Sequence, residues 1–286
     1  MSNEFVLEWL GGPALHHYRK ARPESEFDWA ELDAKRYPPV LLEAARDLWM
    51  GIVVSEYAAI AAFAEVVGAL TAARVPLDLI GMTSDFLADE VYHVELASRL
   101  VMQLGGAPPR HIDTTRLAPR TAPGLTPFER ANELALRVGC IAEVFASATA
   151  APIMRETTHP LVRGVYERIL RDEARHQRFG SLYFEWAGDR LAPAERTRLA
   201  GAALDALSLY APLWRDARAR VLEPKDWGGF DEHELGWIEP ARYVALAEHA
   251  IRSDIVRPLA ELGIVLPSAE LDALFAEPAQ PGAAGS

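Results

Sequence analysis

The stretch RDEARHQRFG, residues 171–180, places Glu173 and His176 three positions apart in a run whose apolar positions are Val162, Tyr166, Ile169 and Gly180. At about 100° per residue, helix positions three apart lie within about 60° of each other. Both polar side chains therefore share the apolar face and point inward. A bare carboxylate in an apolar interior costs several kcal/mol unless a charge compensates it, and a cation is the simplest compensator. A second stretch, LADEVYHVEL at 87–96, repeats the arrangement with Asp89, Glu90 and His93 on the stripe Phe86, Glu90, His93, Ala97, Leu100. A third Glu-x-x-His, Glu156 to His159 in RETTHP, falls where a loop and a proline are expected, so no helix holds its geometry. Spacing alone does not separate a site from coincidence; position on the helix face does.

Apolar residues recur every three or four positions along most of the chain, and period-two β-branched runs are scarce, which predicts an all-α protein. One long helix is expected over 39–74, with Leu41, Leu48, Ile52, Val53, Ile60, Phe63, Val67 and Leu70 inward. Pro76 separates it from a second helix over 77–104. Residues 105–125, rich in Pro, Gly and Thr, are too irregular for helix and long enough to travel the length of a bundle, the long crossover of a ferritin-like four-helix bundle. The third helix opens at Thr126, with Pro127 at its first position and Glu129 completing a capping box, and runs to about 153. The fourth follows Pro160 to about 186. Further helices are expected over 193–222, kinked at Pro212, and over 239–262. The resulting division is an N-terminal wrapping segment at 1–37, the bundle at 38–190, additional helices packed on it at 191–275, and a disordered tail at 276–286.

The chain has 286 residues, half of them hydrophobic, enough for a sizeable core without disulfides, and a formal net charge of -12. That charge argues against nucleic acid or an anionic membrane as the main partner. A single cysteine, Cys140, excludes an internal disulfide framework and cysteine-based zinc clusters. The opening residues lack a basic region followed by an apolar core, and no uninterrupted apolar run approaches about 18 residues, so neither a signal peptide nor a membrane span is expected. The expectation is a cytoplasmic protein.

The other two helices each supply one more inward acid. Glu56 lies among Ile52, Val53, Ala59 and Ile60, whereas Glu65, about half a turn around, should face water. Glu143 lies mid-way along the third helix in GCIAEVFASATA; Glu133, nearer its start and off that line, is the weaker candidate. The halves then share one order, Glu56 before Glu90 and His93, and Glu143 before Glu173 and His176. Four carboxylates and two imidazoles converging at mid-helix are hard O and N ligands suited to a pair of iron or manganese ions, and unlike a usual zinc site. Asp89 and Asp172 precede the paired glutamates. A metal-bound imidazole usually donates its other N–H to a carboxylate, so Asp172 is expected to orient His93 and Asp89 to orient His176 across the bundle; the alternative leaves both aspartates exposed.

The order Glu, Asp-Glu-x-x-His, Glu, Asp-Glu-x-Arg-His over roughly residues 39–188 resembles the ferritin-like di-iron carboxylate superfamily, which includes soluble acyl desaturases, multicomponent monooxygenases, ribonucleotide reductase small subunits and rubrerythrins. DEARH is the nearest match; DEVYH has Tyr92 in place of the arginine. Ile169 stands where arylamine N-oxygenases of the superfamily carry a further histidine, which counts against that activity, and Glu56 stands where ribonucleotide reductase small subunits typically have aspartate. The resemblance implies two Fe ions, or a Mn/Fe pair, and O2 as co-substrate. The activity expected is hydroxylation, desaturation or a related oxidation of a small organic or carrier-bound substrate. Electrons would come from a ferredoxin or flavin reductase, and a homodimer is left open.

Competing readings are a ferroxidase or iron-handling protein, and a non-enzymatic helical scaffold with a structural metal. Around Glu143 the small residues Gly139, Cys140, Ala146, Ser147 and Ala150 suit either a substrate cavity or close helix packing, and Cys140 reads as a core residue. Tyr166 and Tyr183, one stripe-repeat from the ligands, read as packed core tyrosines ahead of the alternative that either carries a radical or donates a hydrogen bond, and Arg175 as an outer-face or ion-pairing residue. The loop carrying Trp227, Phe230 and Trp237 reads as a cap on the bundle ahead of the alternative, a surface that meets a partner.

Overall fold

The computed structural model describes residues 2–22, 27–108, 110–219 and 226–276. Two long antiparallel pairs form the bundle. Helix α2, Pro39–Ala72, opens with prolines at its first positions and ends at Arg74, whose positive φ of 55° lets Val75 N donate back to Leu70 O at 3.1 Å. A short turn through Pro76 leads into α3, Leu77–Gln103, which ends at Gly105 and Gly106, both with positive φ. The first helix, α1, Gly12–Ala21, lies before the bundle and packs on α3.

The connection from α3 runs through a short strand, His111–Asp113 (β2), paired antiparallel with Ser2–Glu4 (β1), so the N-terminus is stitched to the crossover. No strand was expected, since a three-residue pairing has no periodicity to read. The third long rod begins at α4, Pro127–Leu134, with the capping box formed: Thr126 Oγ1 accepts from Glu129 N at 3.3 Å, and Glu129 accepts from Thr126 N at 2.8 Å. It passes through a π-helical stretch, Ala135–Ala142, and continues as α5, Glu143–Glu156. Helix α6, Pro160–Ala187, completes the bundle.

Beyond it, α7, Pro193–Ser208, and α8, Ala211–Ala219, are separate helices. The expected kink at Pro212 is a break before it, because the ring is tolerated only in the first turn of the new helix; residues 220–222 of that expectation lie outside the described ones. Helix α9, Pro240–His249, runs through a second π stretch, Ala250–Val256, into α10, Arg257–Glu261. A short α11, Ser268–Phe275, follows, and its Leu274 carbonyl accepts from Trp214 Nε1 at 2.9 Å. The tail expected to be disordered lies, from residue 277 on, outside the described residues.

Two apolar cores fill the interior. One surrounds Phe63, Phe86, Phe179 and Tyr183 and extends to Trp214 and Ile251; the other surrounds Trp49, Leu100, Val162, Tyr166 and Leu235. On α2 the first begins at Phe63 and the second ends at Val53, which leaves Glu56 between them. On α6 the boundary falls between Ile169 and Phe179, around Glu173 and His176. A polar layer at mid-height thus separates two dry halves. The 226–238 loop closes one end: Trp49 Nε1 donates to Leu235 O at 3.1 Å, and Phe230 packs on Tyr37 with ring centroids 5.1 Å apart.

Interrupted apolar stretches make up much of α2 and of the rod 127–156. Both are long and apolar enough by length and composition to cross a membrane, with mean hydropathies of 1.7 and 1.5. Each also carries one of the interior carboxylates, Glu56 and Glu143, and apolar neighbours are what such a carboxylate needs around it to stay dry.

Candidate metal centre

Four helices deliver six side chains to the polar layer: Glu56 from α2, Glu90 and His93 from α3, Glu143 from α5, Glu173 and His176 from α6. Their donor atoms form two sets, each within 4.8 Å: Glu56, Glu90, His93 and Glu173, and Glu90, Glu143, Glu173 and His176. Glu90 and Glu173 belong to both. Their oxygens divide between the sets. Glu90 Oε2 lies 3.6 Å from His93 Nδ1 and Oε1 lies 2.9 Å from His176 Nδ1. Glu173 Oε1 lies 3.3 Å from His93 Nδ1 and Oε2 lies 3.4 Å from His176 Nδ1. Glu56 approaches only His93, at 3.4 Å, and Glu143 only His176, at 3.3 Å. Two carboxylates that each span two sets, and two that each serve one, make a layout for two ions.

The fit to cations rests on unmet valence. Both histidine Nδ1 atoms, both Glu90 oxygens and Glu173 Oε2 are buried without a hydrogen-bond partner. They are close by distance but not aligned as donor and acceptor, so they converge on common points instead of pairing with one another. Buried polar atoms are normally satisfied, and a divalent ion at each point of convergence satisfies these. The set is hard oxygen and imidazole nitrogen, suited to iron or manganese.

Proton affinities carry the same message. Burial pushes Glu56 up to about 8 and, with Glu173 beside it, holds Glu143 well above the ordinary carboxylate range. Burial opposes protonation of His93 and His176, yet the surrounding carboxylates outweigh it and raise both well above the usual imidazole value. Four acids in one dry layer demand positive charge, from protons or from metal ions that displace them.

The second layer follows the crossed pattern. His93 Nε2 lies 3.3 Å from Asp172 Oδ2, and His176 Nε2 lies 3.5 Å from Asp89 Oδ2. Both aspartates are buried, so the alternative of exposed acids does not hold. Contact with His93 and Arg168 outweighs burial and keeps Asp172 ionised, at about 2. Arginines hold both carboxylates from outside: Arg22 and Arg175 on Asp89, at 2.7 and 3.0 Å, and Arg168 and Arg175 on Asp172. Arg175 was legible as an ion-pairing residue. Arg168, one turn before Asp172, carried a weak signal; Arg22, far away in sequence, carried none. Phe86 lies tilted against His176 and Phe63 meets it edge-on, with centroids 4.1 and 5.5 Å away, and both shield it from water.

The remaining candidates separate cleanly. Glu65 lies on the outer side of α2 against Arg130. Glu133 is fully buried but saturated by Arg137 at 2.9 Å and by Arg198. Glu156 ends α5 and pairs with Arg242, away from the cluster. Tyr183 donates to Asn132 at 2.8 Å. Tyr166 packs on Trp49 with centroids 4.5 Å apart and has no partner for its hydroxyl.

The small-residue patch is, at its start, close packing. A Cβ on Gly139 would stand 3.0 Å from Gly180 N, and one on Gly180 would stand 2.6 Å from Cys140 Sγ. The π stretch that carries Gly139 and Cys140 ends at Ala142, immediately before Glu143; π insertions are frequent at functional sites. Ser147, one turn beyond Glu143, is 3% exposed and its hydroxyl is unpartnered.

The comparisons with known proteins agree with this architecture. Residues 81–257 match the family model described as P-aminobenzoate N-oxygenase AurF. A solved structure, protein 19 with aldehyde deformylating oxidase activity from Synechococcus, superposes with a TM-score of 0.55 at 15% identity, over 87% of this chain and 99% of that one, a likeness of fold. No curated protein matches the chain. The match shows the family and not N-oxygenation as such; at the position where arylamine N-oxygenases carry a further histidine, Ile169 is a buried apolar side chain and supplies no ligand.

Proposed function

Because the chain belongs to the P-aminobenzoate N-oxygenase AurF family, and so is a ferritin-like di-iron oxidoreductase that uses O2 on an organic substrate, we propose how its own residues serve that chemistry. Glu56, Glu90, His93, Glu143, Glu173 and His176 would hold the two irons, Glu90 and Glu173 belonging to both donor sets and Glu56 and Glu143 to one each. The observation that carries this reading is the division of the Glu90 and Glu173 oxygens between His93 and His176. The metal pair, when bound, supplies the two-electron activation of O2.

The chain does the rest. Asp172 and Asp89 hold the N–H of each imidazole at Nε2, which leaves Nδ1 free for metal. Phe63, Phe86 and the two apolar cores keep bulk water out. The Ser147 hydroxyl is the unpaired polar group next along α5 from Glu143, placed to meet substrate. Transfer of one oxygen atom to the substrate, with the other leaving as water, consumes two electrons and two protons, and a ferredoxin or flavin reductase is the donor class proposed. The substrate is a small organic or carrier-bound molecule, with neither nucleic acid nor membrane as partner, in a cytoplasmic protein whose bundle spans 38–190 and is flanked by the 1–37 and 191–275 segments.

Anaerobic ferrous loading followed by O2, watched by absorbance and Mössbauer spectroscopy, tests the reading. Two irons per chain and substrate-dependent O2 uptake are expected, with p-aminobenzoate as the first probe. Glu143→Ala and His176→Ala should each lose iron; if both keep two, the ligand assignment is wrong. Iron oxidation without any substrate oxidation would favour the ferroxidase reading.

A further inference from the structure

One guanidinium touches both histidine–aspartate pairs. Arg175 Nη2 lies 3.0 Å from Asp89 Oδ2 and 3.1 Å from Asp172 Oδ1. Each aspartate in turn faces one histidine, so an unbroken line of contacts runs His93, Asp172, Arg175, Asp89, His176. Of the two aspartates, Arg22 is seen on Asp89 and Arg168 on Asp172. The repeat of the motif explains the division. Where DEARH has Arg175, DEVYH has Tyr92, and Tyr92 instead offers its ring to Arg168, whose guanidinium lies 5.2 Å from the centroid. Arg175 has no counterpart from α3, so it serves both halves alone.

We propose that Arg175 is a positioning residue shared by the two metal sites, and that it sets the geometry and the electron affinity of both through Asp89 and Asp172. This rests on the reading of His93 and His176 as iron ligands. The physical reason is twofold. A carboxylate held from behind by a guanidinium keeps its plane and pulls less strongly on the imidazole N–H, so the imidazole donates less charge to its metal. The guanidinium is also a fixed positive charge beside the cluster, which disfavours the more positive, oxidised state. Both effects act in the same direction, and Arg175 exerts them on both sites at once. Arg175 is itself 57% exposed, so its replacement opens no buried cavity.

The test compares Arg175→Gln, Arg175→Lys, Arg22→Gln and Arg168→Gln, each loaded with ferrous ion, by Mössbauer spectroscopy, iron affinity and reduction potential. Arg175→Gln should perturb both iron signals, weaken iron binding on the order of 10-fold and shift the potential downward. Arg175→Lys, which keeps the charge, should restore most of the potential. Arg22→Gln should perturb one iron signal and Arg168→Gln the other. An Arg175→Gln protein with unchanged signals and potential, or with only one site perturbed, overturns the proposal; if Arg175→Gln does not fold, a potential in Arg175→Lys as low as that of a charge-free site does so too. A wild-type protein that binds fewer than two irons fails the ligand reading instead, and the two failures are told apart by that count.

Discussion

Replacement of Gly180 by alanine tests whether the close helix crossing holds the metal layer in place. The added Cβ would stand 2.6 Å from Cys140 Sγ, 2.8 Å from Gly139 C and 2.9 Å from Cys140 N. Two of those three atoms are backbone, so no rotamer change relieves the clash and the two helices must part. Overpacking of a dense core costs about 1–3 kcal/mol, and this site belongs at the upper end. Replacing glycine inside a helix returns about 1 kcal/mol. The net loss is about 2 kcal/mol, or a melting-temperature decrease of about 4–8 °C on the scale of ~2–4 °C per kcal/mol for a domain of this order of size. The functional consequence is more specific. Cys140 lies three residues before Glu143, and Gly180 lies four residues after His176, so parting the helices pulls Glu143 away from His176 and spares the set built on Glu56 and His93. Thermal unfolding of the metal-free protein reads the first effect, and iron titration reads the second as selective weakening of one ion. Gly68→Ala, on an exposed part of α2 with nothing within 4 Å, is the control and should be neutral or slightly stabilising. If Gly180→Ala matches wild type in both measurements, the crossing does not position Glu143 and the argument fails.

Two further outcomes follow from buried groups outside the metal layer. Arg198→Ala strips one partner from Glu133, which is fully buried; with Arg137 still 2.9 Å away, the loss should be about 3 kcal/mol, the low end for breaking a buried pair, and urea unfolding with unchanged stability would count against the pairing. Burial pushes the Cys140 thiol from 9.0 up to about 12. Because the folded value is raised, the associated stability is fully present below pH 9 and is lost as pH rises towards 12. Native protein at neutral pH should resist thiol reagents, Cys140→Ala should reduce but not abolish the alkaline slope, since burial also raises Tyr166 and Tyr243, and rapid labelling of the native thiol would contradict the burial.

The helical stripes were legible because a bundle buries one face of each rod, and the polar layer was legible because it interrupts those stripes at matching heights. Glu56 and Glu143 were found on that criterion alone. Burial by itself would have misled: Glu133 is more deeply buried than Glu56, and what separates them is that Glu133 has arginine partners whereas the cluster acids converge on unsatisfied atoms. The π stretch before Glu143 was not legible. Within it Gly139 and Cys140 lie close against Gly180, a contact between segments distant in sequence. Nor was Arg22, which reaches Asp89 across 67 positions of chain. The β1–β2 ribbon and α11 are too short to show a period.

The two halves repeat their ligands but not their supports, and the difference has a physical origin. A repeated Asp-Glu-x-x-His supplies the same donors to both ions, so selection on the donors alone would leave the site symmetric. The supports come from whatever packs outside each helix. Asp172 is backed by Arg168 from its own helix, one turn away, a local contact that forms whenever α6 forms. Asp89 is backed by Arg22, which arrives only when the N-terminal segment docks, and that docking is itself anchored by Tyr18 and Arg19 on Glu95, 3.0 and 2.8 Å away. The His93 side is therefore built into the bundle, while the His176 side depends on a segment outside it. Arg175 is the contact the two sides share, because one nitrogen of its guanidinium reaches both Asp89 and Asp172.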